Sequence, residues 1–169
     1  CSNSIDSPAG NFRIHYGSCQ STVDVSYFSN PVNATLAYLN SVAEAAEHSK
    51  QILEEMGFNQ EDSDNDGVYD IYLSNRSNGD YGVNWPSSEG GSFVIIDNDY
   101  TNYSCTSSSS SCIMNSSSLA LMKITVAHEF FHAVQRTYVA ANATSDLYFW
   151  ELSSTWFEDV AYPNISDYL

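Results

Sequence analysis

Leu119-Ala120-Leu121-Met122-Lys123-Ile124-Thr125-Val126-Ala127-His128-Glu129-Phe130-Phe131-His132-Ala133-Val134 is the stretch on which the fold turns. Its apolar residues occupy nearly every direction around a 3.6-residue turn, so it reads as a helix at the centre of a domain, from about Ser118 to Tyr138. His128 and His132 are four residues apart and therefore share one face of that helix, where both imidazoles can reach a single cation. Glu129, next to the first histidine, projects beside such an ion and not onto it. There it can take a proton from an activated water, as a general base does. The plainer reading is two ordinary helix histidines with a nearby glutamate. It is weak here, because the flanks are apolar and histidines buried among them need partners.

A catalytic zinc takes a third protein ligand and leaves one position open. A histidine six residues past His132 would give one class of site, but Tyr138 stands there and Gln135 replaces the glycine that class requires. Eighteen residues separate His132 from Glu151 in Trp150-Glu151-Leu152-Ser153-Ser154-Thr155-Trp156-Phe157-Glu158-Asp159. That gap lets the chain leave the first helix, turn and return antiparallel with a carboxylate toward the metal. The small residues after Glu151 would let two helices approach closely. Glu158 lies two turns further on the same face. It is read as the partner of a histidine's outer nitrogen, with a solvent-facing carboxylate or a rival ligand as the alternatives.

Around these two helices the pattern predicts a long backing helix from Ala34 to about Met56, stopped by Gly57. Strands are expected at Phe12–Tyr16, Val68–Leu73 and Phe93–Ile96, and residues 75–92, with their Gly, Asn, Ser and Trp-Pro, read as loop. The serine-rich stretch from Ser104 to Ser118 reads as an exposed loop. The fold class is thus α+β: a small mixed or antiparallel sheet on a backing helix, an active-site helix and a glutamate helix, in one domain over residues 1–169. The chain ends soon after Asp159, which suits a minimal domain or an excerpt of a longer protein.

The 169 residues are 43% hydrophobic, enough for a core, and carry 21 acidic against 5 basic side chains, a formal charge of −16. Such a surface repels phosphate backbones and disfavours nucleic acid as a partner. No apolar run approaches the roughly 18–20 residues of a membrane span. Four cysteines allow three pairings. Cys105 with Cys112 would close the serine loop, leaving Cys1–Cys19 to tie down the N-terminus. Two disulfides imply an oxidising compartment: secreted, periplasmic or cell-surface.

Asp62-Ser63-Asp64-Asn65-Asp66-Gly67-Val68-Tyr69-Asp70 places acids at positions 1, 3, 5 and 9 and glycine at 6, the first part of an EF-hand-like calcium loop. Leu73 stands where the closing glutamate belongs, so Asp62, Asp64, Asp66 and Asp70 are candidate calcium ligands of an extracellular type, set against a solvated acidic turn. His48 reads as a surface residue and His15 as packed or paired.

HExxH, an eighteen-residue gap and a glutamate resemble the gluzincin metallopeptidases. The Glu151 segment resembles their glutamate helix, with Glu158 at its last glutamate. Leu152 departs from their usual glycine, and no aminopeptidase motif is present. His128–Gln135 and Trp150–Asp159 are similar to a group of bacterial secreted metallopeptidases. The likeness is specific at these two helices and looser from Phe12 to Tyr168.

The resemblance implies a zincin-like fold and zinc-dependent hydrolysis of protein or peptide substrates. It also implies an extended substrate pairing with an edge strand above the active helix, for which Phe93–Ile96 is the candidate. Tyr138, Tyr148 and Tyr162 are candidate oxyanion donors. A reading from another class is a non-catalytic extracellular module stabilised by zinc or calcium, which would need no base at position 129.

Overall fold

The computed structural model describes residues 1–18, 34–62, 66–76, 81–88, 90–100, 118–138 and 147–165. They form, in chain order, β1 (Asn3–Asp6), β2 (Phe12–Tyr16), α1 (Leu36–Glu55), β3 (Tyr69–Ser74), β4 (Gly82–Pro86), β5 (Ser92–Asp97), α2 (Ser118–Arg136) and α3 (Leu147–Ala161). The fold is α+β, a mixed five-stranded sheet with three helices.

Sheet order is β1-β2-β3-β5-β4. The three inner strands run parallel, and β1 and β4 are antiparallel at the two edges. The inner strands carry the continuous apolar character expected of buried parallel strands, and every residue of β5 is buried. Phe12, Ile14, Tyr69, Ile71, Leu73, Val94 and Ile96 point from the sheet into one core with Leu39, Val42, Met122, Ile124, Phe130 and Phe157 of the helices.

Helix α1 begins where the Thr35 hydroxyl accepts from Tyr38 N at 3.2 Å, a side-chain N-cap. It ends because Gly57 adopts φ +82° while Gly57 N and Phe58 N donate to the carbonyls of Glu54 and Leu53. That closure needs a left-handed residue, which glycine supplies without strain. Phe58 then turns back onto Phe131 of α2, ring centroids 5.5 Å apart.

The sheet differs from the sequence expectation at two places. Residues 75–92 are not all loop, since they contain β4; and Phe93–Ile96 is an inner strand, so β4 is the edge beside α2. Asp97 N donates to Tyr81 O and Ser87 N to Gly91 O, so odd-numbered residues of β4 bond toward β5. The backbone groups of Gly82, Asn84 and Pro86 face the free edge by the antiparallel alternation. Proline lacks only a donor that would have faced outward, which is why an edge strand tolerates it.

Candidate metal centre

Helix α2 presents its HExxH face to α3. His128 Nε2 lies 3.2 Å from Glu151 Oε2, and His132 Nε2 lies 3.6 Å from Glu151 Oε1. One ligand atom from each of the three residues falls within 4.8 Å of the other two. Among the described residues this is the single group that could hold a metal ion. The rings meet edge-on at 4.8 Å, which turns both Nε2 atoms toward a common point. Two imidazoles and a carboxylate form a donor set of the kind that binds zinc.

The outer nitrogens explain how the rings are held. His128 Nδ1 is 2.5 Å from Glu158 Oε1. A carboxylate only accepts, so Nδ1 carries the proton and Nε2 is directed inward. Glu158 is buried and its other oxygen has no partner. Burial pushes its pKa up, against the opposing bond to His128. His132 Nδ1 has a neutral partner, Gln135 Oε1 at 2.7 Å, with Ser154 Oγ at 3.1 Å. Gln135 Nε2 in turn donates to Trp150 O at 3.0 Å and Ser153 Oγ at 2.8 Å. One amide therefore links a histidine to the backbone just before Glu151. Read from sequence, Gln135 has only a negative use, as the residue standing where a glycine would be required. Its signal was its position, three residues past His132 on the same face.

Glu129 is buried beside the triad and belongs to no ligand set. The backbone N–H of Asn84 donates to its carboxylate. Burial raises its pKa, the charges of His132 and His128 oppose that, Glu151 adds to it, and the Asn84 bond opposes it again. Overhead, β4 comes so close that a Cβ on Gly82 would stand 2.6 Å from Thr125 Cγ2 and 2.9 Å from Glu129 Cγ. Gly82→Ala should therefore cost about 1–3 kcal/mol by overpacking, read as a lowered urea midpoint, because the Thr125 side chain and the base, or else the strand, must shift to admit the methyl. An unchanged midpoint would mean that β4 does not ride on α2 this tightly.

Without an ion, the triad is an ion-pair cluster. Burial disfavours a charged His128, but the bonds to Glu151 and Glu158 and the charges of Glu129 and Glu158 outweigh it, bringing its pKa up to about 10. The bonds to His128 and His132 hold the half-exposed Glu151 carboxyl well below the usual carboxylate range. A metal must therefore displace a proton from His128 at any pH below about 10. Apparent zinc affinity should rise about tenfold per pH unit between about pH 6 and 8, measured by competition with a chromophoric chelator. With His128 at its ordinary pKa, the curve would flatten near neutrality.

The remaining expectations divide. Tyr138 receives Asn59 N on its hydroxyl at 2.7 Å, and Tyr162 OH lies 3.5 Å from Ala45 O, so the first is committed to the segment after α1 and the second to α1 itself. Tyr148 stands exposed on the first turn of α3, three residues before Glu151. In the acidic loop, Asp66 accepts from Arg13 Nη1 at 3.0 Å and Val68 N at 2.9 Å, and Asp70 pairs with His15 Nε2 at 2.6 Å. Asp62 is exposed, and Asp64 lies outside the described residues. His15 is thus paired, and also stacked on Tyr72. His48 is exposed, with Nε2 3.0 Å from Ala161 O. Cys1 is disulfide-bonded. Cys19, Cys105 and Cys112 lie outside the described residues. No described helix is long and apolar enough to cross a membrane.

No protein-family model, curated protein or solved structure matches this chain. What the site can do follows from its own geometry.

Proposed function

We propose that this protein is a zinc-dependent extracellular peptidase of zincin-like architecture, with His128, His132 and Glu151 as ligands and Glu129 as general base. The observation that carries the reading is the place of Glu129. It is a buried carboxylate beside three convergent ligand atoms, held by the backbone of an edge strand and left out of the ligand set. A site that only bound metal for stability would have no use for it.

When bound, zinc supplies a Lewis acid that acidifies water and polarises a carbonyl. Glu129 accepts the proton of the attacking water, and burial suits it to do so near neutrality by raising its proton affinity. It then hands that proton to the leaving amine. Glu158 and Gln135 keep the two imidazoles in the tautomer and orientation that ligation needs. The outward backbone groups of Gly82 and the Pro86 carbonyl offer an extended peptide a partner along β4. At Asn84 the N–H is already given to Glu129. Tyr148 is the tyrosine left to stabilise an oxyanion. The disulfide at Cys1 favours an oxidising compartment.

Hydrolysis of an unfolded protein or a quenched peptide mixture by the zinc-loaded protein tests this. Turnover should vanish on chelation and return with zinc. Turnover indifferent to the chelator, or none with zinc at full occupancy, overturns the proposal.

A further inference from the structure

Arg136 ends α2, on the same face as His128 and His132 and one turn beyond the latter. In a chain with 21 acidic residues, the basic side chains have carboxylates to choose from. Arg13 holds Asp6 and Asp66, and Lys50 holds Glu54 and Glu61. Arg136 makes no ion pair with any described residue. Its Nε donates to Asn84 Oδ1 at 2.5 Å and its Nη2 to Asn84 O at 3.3 Å. The guanidinium carbon lies 5.6 Å from the centroid of the Trp150 ring, the ring that also stacks on His132 at 5.5 Å. The side chain is half-buried, and burial lowers its pKa with no carboxylate to offset it. Nη1 makes none of these bonds and is not among the buried unpartnered atoms, so it keeps contact with solvent.

With no carboxylate partner among the described residues, this half-desolvated cation is held only by the Asn84 amide and carbonyl and the Trp150 face, which leaves its charge to be matched by an anionic ligand. The free end of the guanidinium, Nη1 with the second hydrogen of Nη2, has the fork geometry that accepts a carboxylate through two parallel bonds. We propose that Arg136 is the specificity-determining residue of this cleft, and that its free guanidinium end receives a carboxylate of the peptide substrate. That carboxylate comes from an acidic side chain or from the C-terminus. The inference rests on the peptidase reading and deepens it. Glu129 and Arg136 flank the same edge residue, Asn84, one at its N–H and the other at its carbonyl. They stand seven residues apart on the helix, about 10 Å of rise. An extended peptide advances about 3.3 Å per residue, so the carboxylate should sit about two or three residues from the scissile bond.

The test compares peptides in matched pairs against the zinc-loaded protein. One arm sets Glu against Gln at each position, with amidated C-termini. The other sets a free C-terminus against an amide, with neutral side chains. Wild type should favour the carboxylate member of one arm by about ten- to a hundredfold in kcat/KM, through KM. Arg136→Gln should bring that ratio close to one, and Arg136→Lys, which keeps the charge and loses the fork, should give an intermediate ratio. Because the ratio is taken within each protein, a merely structural loss in the variant cancels out of it. A wild-type ratio near one in both arms, or a ratio that Arg136→Gln leaves intact, overturns the proposal.

The same pairs are titrated against zinc-loaded Glu129→Gln protein, read by tryptophan fluorescence. If wild type cleaves no peptide, the peptidase reading fails, and binding still decides Arg136. Tighter binding of the carboxylate member, lost when Arg136→Gln is added, supports the assignment. Equal binding of both members sinks it.

Discussion

Glu129→Gln should leave a folded, metal-loaded protein that hydrolyses peptides about 10²–10⁴-fold more slowly, the loss expected when a general base is removed. The amide has the shape of the carboxylate and its oxygen can still accept the Asn84 N–H, so β4 keeps its seat over α2. The three ligands are untouched, so zinc content should equal that of wild type. Stability should not fall. Glu129 is desolvated, and a neutral side chain of the same volume removes the burden of a buried charge. Hydrolysis rate, metal content and melting temperature measured together separate this from a structural role. A glutamate that only supported the helix would lose stability and retain most of the rate. A variant within about threefold of wild type would remove Glu129 from the chemistry.

Phe130→Ala should be the most damaging core substitution near the site, lowering unfolding free energy by about 3–5 kcal/mol. Phe130 is 1% exposed, and its ring meets Phe12 edge-on at 5.0 Å and Tyr69 at 5.5 Å. Those three rings join α2 to β2 and β3. The consequence reaches the site, because the Tyr69 hydroxyl bonds Ser92 Oγ at 2.8 Å and receives Asn84 Nδ2 at 2.9 Å. A cavity at Phe130 therefore loosens Tyr69, then Asn84, and with it the strand that holds Glu129. Urea unfolding gives the first effect and the hydrolysis rate the second. Against a total of about 5–15 kcal/mol, the loss is severe. A cost below about 1 kcal/mol would mean that α2 is not anchored through this residue.

The parts legible in the sequence were those governed by local periodicity. The all-round apolar character of Leu121–Val134 announces a central helix, four-residue spacing puts His128 and His132 on one face, and Gly57 marks the end of α1. Glu151 was reachable because a chain length and a carboxylate suffice to suggest a returning helix. β4 was not, since Gly82, Asn84 and Pro86 carry loop chemistry. Gly82 is there for its missing side chain against Thr125 and Glu129, and Pro86 is tolerated by an outward-facing edge. The sequence therefore points to Phe93–Ile96 as the edge, although its apolar, largely β-branched character belongs to an inner strand.

Long-range partnerships were hidden for a different reason. Nothing local says that Asp70 will meet His15 across β2 and β3, or that Asp66 will meet Arg13. Gln135 and Arg136 follow the motif directly, yet their importance depends on α3 and β4 arriving beside them.

The most direct test of the metal centre is zinc stoichiometry. Chelator-stripped protein, dialysed against zinc at neutral pH and then against buffer, should retain one zinc per chain. Retention should be lost in His132→Ala and kept in Glu129→Gln. Absence of stoichiometric zinc in the wild type, or its full retention in His132→Ala, would contradict a centre built from His128, His132 and Glu151.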